Sequence, residues 1–198
     1  MPAYDPALLR DLLATRSFKR DEMNGFRLAS GIRSRIYFNL KTTMMHPQGA
    51  AQCAHGLLAL LDGVDVDYVA GLEMGAVPLL SAVAAFSVDG PRPVHSFFVR
   101  KKPKDHGTAL MIEGLDDLGG ETLAGKHVVL VDDVATSGGS ILLAVDQIRA
   151  AGGIVAHALV IVDRQQGATE KLAAAGITLR TLFTAADLGV TERDLLPL

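Results

Sequence analysis

Hydrophobic positions along the chain change their period partway. Near the start they are helical: Leu8, Leu9, Leu12 and Leu13 follow Asp5-Pro6, which predicts a capped helix with Pro in its first turn. Residues 26–28 and 36–40 read as short strands joined by the polar turn Ser30-Gly31. Residues 47–61, apolar at Ala50, Ala54, Leu57, Leu58 and Leu61, predict a second helix. Beyond it, short continuous apolar runs alternate with helical patterns. Strands are predicted at 68–71, 94–100, 127–131, 154–162 and 177–183, and helices at 76–86, 140–151 and 169–175. Residues 102–120 have little apolar periodicity and several charges, and predict a long loop or loose hairpin.

Apolar strands alternating with helices indicate an α/β fold whose central, mostly parallel sheet is covered by helices on both faces. No repeat or linker divides the sequence, so residues 1–198 read as one domain, with 1–45 forming a small N-terminal cap or hood. Ligands of such sheets bind beyond the carboxyl ends of the strands. The loops after Gly71, Arg100, Val131 and Val162 are therefore expected to meet on one side.

Composition narrows the class. Hydrophobic residues are 49% and charged residues 21% of 198, which excludes intrinsic disorder. The net charge of −3 argues against a general nucleic-acid binder. Cys53 is the single cysteine, so neither an internal disulfide nor a thiol zinc site can form. Residues 1–20 lack a signal-peptide core, and the uncharged stretch 74–88 is too short to span a bilayer. The expectation is a soluble cytoplasmic protein without nucleic-acid or membrane partners.

The chemistry concentrates at 128–140. The run Val128-Val129-Leu130-Val131 leads into Asp132-Asp133, then Val134-Ala135-Thr136-Ser137-Gly138-Gly139-Ser140, then a helix. The second half has the makings of a phosphate cradle: glycines admit an anion to the backbone, hydroxyls donate, and the helix start adds free N–H groups. Two carboxylates would repel that phosphate, so they suit sugar hydroxyls, a cation or a developing positive charge. A sugar phosphate satisfies both halves. The plainer alternative is an acidic turn capping the next helix. Gly120 to His127 nearly matches P-loop spacing, but His127 replaces the Ser/Thr that would hold magnesium, and no GxGxxG occurs.

Residues 128–140 resemble the phosphoribosyl-diphosphate signature of the type I phosphoribosyltransferases. Three further segments resemble the orotate phosphoribosyltransferase family. Residues 98–108, Phe98-Val99-Arg100-Lys101-Lys102-Pro103-Lys104-Asp105-His106-Gly107-Thr108, are similar to its mobile catalytic loop. Residues 26–39 are similar to its N-terminal substrate segment, and Val162-Asp163-Arg164-Gln165-Gln166-Gly167 to the loop that holds the base.

The resemblance implies a type I phosphoribosyltransferase fold and transfer of a phosphoribosyl group from 5-phosphoribosyl 1-diphosphate to orotate. The products would be orotidine 5′-monophosphate and diphosphate, in pyrimidine (UMP) biosynthesis. It implies that Asp132 and Asp133 hold the ribose and stabilise charge at the anomeric carbon. Val134, Ala135, Thr136, Ser137, Gly138, Gly139 and Ser140 would surround the 5′-phosphate. Arg100, Lys101, Lys104 and His106 would neutralise the departing diphosphate, with Lys104 contributing most to turnover. Glu73, Met74 and Gly75 would touch diphosphate through the turn after the first core strand. Thr136, Arg164, Tyr37 and Phe38 would meet orotate. Mg²⁺ is implied as cofactor, held through substrate with no direct protein ligand. A homodimer is implied, with the 100–110 loop reaching the neighbouring active site.

Taken without the resemblance, the basic run could be a solvated charge cluster, Arg164 a surface residue in a polar turn, and Tyr37 and Phe38 simple core. The enterobacterial form carries Lys where this chain has Ala29 and Met74, and both lost charges would face phosphate. Two other functions stay open: a phosphoribosyltransferase for another base such as a purine, and a non-catalytic regulator that senses the ligand with the same fold.

Overall fold

Tyr68–Leu72, strand β5 of the chain, is buried at every position, as an uninterrupted apolar strand requires when helices cover both faces of its sheet. The computed structural model describes residues 4–21, 23–27, 33–90, 92–102, 111–115 and 122–195. Before β5 come α1 (Pro6–Leu12), a π-helical turn (Leu13–Ser17), β1 (Phe18–Arg20), β2 (Phe26–Arg27), β3 (Arg33–Ser34), β4 (Ile36–Phe38), α2 (Lys41–Met44) and α3 (Pro47–Leu60). After it come α4 (Val77–Ser87), β6 (His95–Val99), β7 (Ile112–Glu113), β8 (His127–Ala135), α5 (Gly139–Ala150), β9 (Ile154–Asp163), α6 (Ala168–Ala174) and β10 (Thr178–Thr184). A 3-10 turn (Ala186–Leu188) and α7 (Glu192–Leu195) complete the described chain.

The six-stranded sheet has the order β10-β9-β8-β5-β6-β7. All its neighbours run parallel except the antiparallel edge pair β6–β7. Alternation along each strand splits the core in two. Val129 and Val131 of β8 face one way, toward Leu57, Leu79 and Val83 of α3 and α4. Val128 and Leu130 face the other, toward Ile141, Val145, Ile148 and Leu172 of α5 and α6. The expected sheet with helices on both faces is present. Among the described residues no helix is long and apolar enough to cross a membrane.

Two expectations need correction. The strand at 36–38 does not pair with the one at 26–27. It pairs with β1, in the antiparallel register Phe18↔Phe38, Lys19↔Tyr37, Arg20↔Ile36, while β2 takes Arg33–Ser34 as its partner. A three-residue strand such as β1 is too short to show a period. The turn residues Ser30 and Gly31 lie outside the described residues.

The second correction concerns the acid pair. The apolar run ends at Val131, but β8 continues through Asp132 and Asp133 to Ala135. The neighbouring strand β9 is long enough to keep pairing, with Asp132↔Val160, Val134↔Val162 and Ala135↔Asp163. Ladder hydrogen bonds therefore hold the carboxylates on a rigid strand, where hydrophobicity alone places them in a turn.

Strand β6 lies on one side of β5 and β8 on the other, so the order reverses between β5 and β8. The crevice beyond the carboxyl ends of these two strands is the ligand position of an open α/β sheet.

Candidate active site

Three loops built from the carboxyl ends of β5, β8 and β9 converge on that crevice. Asp132 is 8% exposed. Its Oδ1 accepts the Asp133 N–H at 2.9 Å and its Oδ2 accepts the Ser140 hydroxyl at 3.0 Å, tying the strand to the first turn of α5. Burial, and then the neighbouring charge of Asp133, pushes the Asp132 carboxyl up to about 7. Asp133 is half-buried, and its Oδ1 accepts the Val134 N–H at 2.9 Å. Two adjacent carboxylates, one buried and one half-buried, suit hydroxyl donors or a cation.

Beyond Ala135, Thr136 and Ser137 are exposed, and Gly138 takes the left-handed conformation at φ 73° before α5 begins. Among the described residues no side chain caps α5, and its first turn holds no acid. The N–H groups at that end are left for an anion, in the geometry that binds phosphate.

The turn after β5 presses against the acid pair. The Glu73–Met74 peptide is cis, and Gly75 sits beside both carboxylates. Glu73 reaches the other way: its Oε1 accepts the Lys101 N–H at 2.8 Å, while its own N–H donates to Val99 O at 2.9 Å. Met74 is exposed. Residues 73–75 thus lie between the acid pair and the start of the basic segment.

Arg100 leaves β6 with its N–H donating to Met111 O at 2.7 Å, which closes the base of a hairpin with β7. Its guanidinium contacts Glu113 Oε1 at 3.4 Å and Lys102 O at 3.1 Å. Lys101 is exposed. Lys104 and His106, like Ala29, lie outside the described residues.

Arg164 follows β9 and is 9% exposed, so it is not a surface residue. Its N–H donates to Ala135 O at 2.9 Å, which joins its loop to the end of β8 just before Thr136. Its guanidinium carbon stands 5.7 Å from the centre of the Phe38 ring. The buried Nε has no hydrogen-bond partner among the described residues, and burial lowers the guanidinium's proton affinity. A buried fork-shaped donor with an unfilled N–H fits a planar acceptor-rich anion. Tyr37 alternates to the opposite face of β4 and stacks on Phe26 at 5.6 Å. Phe38 is thus the member of this aromatic pair that the fold brings to Arg164.

Asp163 organises this corner and was missed among the sequence candidates. It is 7% exposed; Oδ1 accepts the Gln165 N–H at 2.8 Å and Oδ2 the Thr169 hydroxyl at 3.1 Å. The available signal was an Asp at a strand end followed by a Gly-containing loop and a helix. Among the described residues no three His, Cys, Asp or Glu side chains could together hold a metal ion. Cys53 is free and buried, and burial pushes its thiol up to about 12.

These features make a crevice on a doubly wound sheet whose residues have the chemistry to suit a phosphorylated sugar and a planar anion. The family described as phosphoribosyl transferase domain matches residues 44–183. An orotate phosphoribosyltransferase of Rhodopseudomonas palustris (strain BisB18) is 50% identical over 181 residues, 91% of this chain and 94% of that protein. One from Bradyrhizobium sp. (strain ORS 278) is 49% identical over 91% of this chain and 95% of its own length. The chain also superposes on the Mycobacterium tuberculosis H37Rv orotate phosphoribosyltransferase in complex with 5-phospho-alpha-D-ribosyl 1-diphosphate. There the TM-score is 0.75 and the identity 30%, covering 93% of this chain and 99% of that one. The chain belongs to the orotate phosphoribosyltransferases of the phosphoribosyl transferase family.

Proposed function

We propose that this chain catalyses the reaction of orotate with 5-phosphoribosyl 1-diphosphate, giving orotidine 5′-monophosphate and diphosphate in pyrimidine biosynthesis. The observation that carries the reading is the joining of two subsites by one backbone hydrogen bond. The Arg164 N–H donates to Ala135 O, so the buried base-side guanidinium and the phosphate loop share a fixed spacing.

In this reading the bond from the anomeric carbon to the diphosphate oxygen breaks with its electron pair leaving on diphosphate. A ring nitrogen of orotate gives up its proton, which leaves with diphosphate or to water, and its freed electron pair forms the new bond to that carbon. The 5′-phosphate occupies the loop 134–140 and the N-terminal end of α5. Asp132 and Asp133 accept from the ribose hydroxyls and stabilise the positive charge that develops on the sugar. Of the turn 73–75, Met74 and Gly75 contact diphosphate through their backbone N–H groups, the Glu73 N–H being held by Val99 O. Lys101, Lys104 and His106 neutralise the leaving group, Lys104 foremost, and Arg100 contributes if its guanidinium turns from Glu113. Arg164 grips orotate, with Thr136 and Phe38 beside the ring and Tyr37 at the periphery.

Mg²⁺ fits this donor set: Asp132 and Asp133 bring hard carboxylate oxygens together beside Gly75, where they suit an ion held mainly by substrate oxygens and water. When bound it supplies charge neutralisation on the diphosphate. The same reading includes a single working domain with residues 1–45 as its hood. It also includes a cytoplasmic homodimer in which the 100–110 loop of one subunit serves the active site of the other.

Ultraviolet absorbance of orotate, followed with donor and Mg²⁺ present and then with each omitted, tests the reaction. Loss of orotate only in the complete mixture is expected. Donor binding without any loss of orotate would overturn it, in favour of another base or of ligand sensing.

A further inference from the structure

Ile36, Ala185 and Val190 form a small buried cluster of their own, with Phe18 and Phe38 packed against it. It joins the hood to the segment 185–194, which is distant in sequence. Polar bonds surround this seam. Asp194 is 3% exposed, and its Oδ2 accepts from Arg20 Nη2 at 2.9 Å, Thr191 N at 2.8 Å and the Thr191 hydroxyl at 2.8 Å. Arg20 Nη2 also donates to Gly189 O at 2.9 Å, and Arg35 Nη1 donates to Arg193 O at 3.2 Å.

The same segment holds the base loop on its other flank. Ala185 N–H donates to Asp163 O at 2.8 Å, and Ala186 N–H donates to Gln165 Oε1 at 3.3 Å. These two bonds bracket Arg164. On the hood side, Arg20 is in register with Ile36, two residues before Phe38, whose ring faces the Arg164 guanidinium. Segment 185–194 is therefore a brace between the two walls of the proposed base subsite.

We propose that Asp194 is a positioning residue for the orotate subsite: through Arg20 it clamps the hood to segment 185–194 and so fixes Phe38 against Arg164. The inference rests on the proposed role of Arg164 toward orotate. The physical ground is that a buried carboxylate with a charged partner tolerates little displacement, since separation leaves its charge uncompensated. An apolar seam alone slides more easily.

The test uses Arg20→Ala, because the Arg20 side chain is 38% exposed and its removal opens no buried cavity, together with Asp194→Ala and Arg20→Lys. Hydrogen exchange by mass spectrometry on the unliganded proteins should show faster exchange at 36–39 and 163–166, with 132–140 unchanged. In steady state the KM for orotate should rise about tenfold, the factor that corresponds to roughly 1.4 kcal/mol of lost binding. The KM for the donor should stay within about twofold, the mark of an effect confined to one subsite. Arg20→Lys should recover at least half of the change. Exchange that quickens only at 185–194, or a parallel rise in both KM values, would overturn the proposal. If the wild-type protein fails to consume orotate, the functional reading falls, while the exchange measurement still decides the brace.

Discussion

Gly75 stands against Asp133 so closely that a Cβ placed on it would lie 3.0 Å from Asp133 Oδ1, and 3.1 Å from Oδ1 of Asp132. The turn after β5 and the acid pair on β8 are therefore fitted to each other at a single glycine. Gly75→Ala forces one carboxylate aside, at the point where ribose and diphosphate would meet. We expect the donor KM to rise about tenfold, the equivalent of roughly 1.4 kcal/mol of lost binding. The melting temperature should fall by less than about 4 °C, since a carboxylate can move at a cost near 1 kcal/mol in a chain of this size. Equal KM values for wild type and variant would remove this turn from the donor site.

Titration of Asp132 should be visible in both stability and activity. Its folded pKa is raised from the ordinary carboxylate range to about 7, so the folded state holds the proton more tightly than the unfolded chain. This contribution to stability is complete below pH ~4 and is lost as pH rises through ~7. Melting temperatures of wild type and Asp132→Asn, compared from pH 4 to 8, should show the wild type losing ground as pH increases. Activity should move oppositely, because the ionised carboxylate is the better acceptor for ribose hydroxyls. A pH-independent difference between the two proteins would contradict the assignment.

Arg164 exchanges stability for binding. Its guanidinium is buried, its Nε has no partner among the described residues, and desolvation is the cause of its lowered proton affinity. Arg164→Met fills similar volume without a buried charge, and should raise the melting temperature by about 2–8 °C, the equivalent of roughly 1–2 kcal/mol. The same variant should raise the orotate KM at least about 100-fold, since a charge-assisted fork is lost. A calorimetric scan and an orotate titration would check both halves, and a less stable variant would count against the argument.

Lys104→Ala should lower kcat by about 10²–10³, the usual cost of removing a group that stabilises transition-state charge. The melting temperature should not change. Chelation of divalent cations should also abolish turnover while leaving the fold intact. A kcat near wild type would show that diphosphate departs without help from this residue.

The sequence by itself determined the alternation of strands and helices, because an apolar run buried on both faces and a helix with one apolar stripe carry their periods locally. It also determined the identity of the acid pair and of the hydroxyl-glycine loop, since these residue types at adjacent positions already have the right chemistry. The match of Arg164 to a base loop was legible as a resemblance, but its burial was not. It goes with Phe38 arriving from β4, whose partner, Phe18–Arg20, is too short to carry a period. Only the tertiary structure extended β8 through Asp132 and Asp133, because the ladder with β9, a long-range partner, outlasts the hydrophobic signal. Only the tertiary structure joined Glu73 to Lys101, Gly75 to the acid pair, and Asp194 to Arg20. Each of these contacts links residues 28 or more positions apart. No local pattern encodes such a distance; it is set by where the sheet order reverses and by which loops that reversal brings face to face.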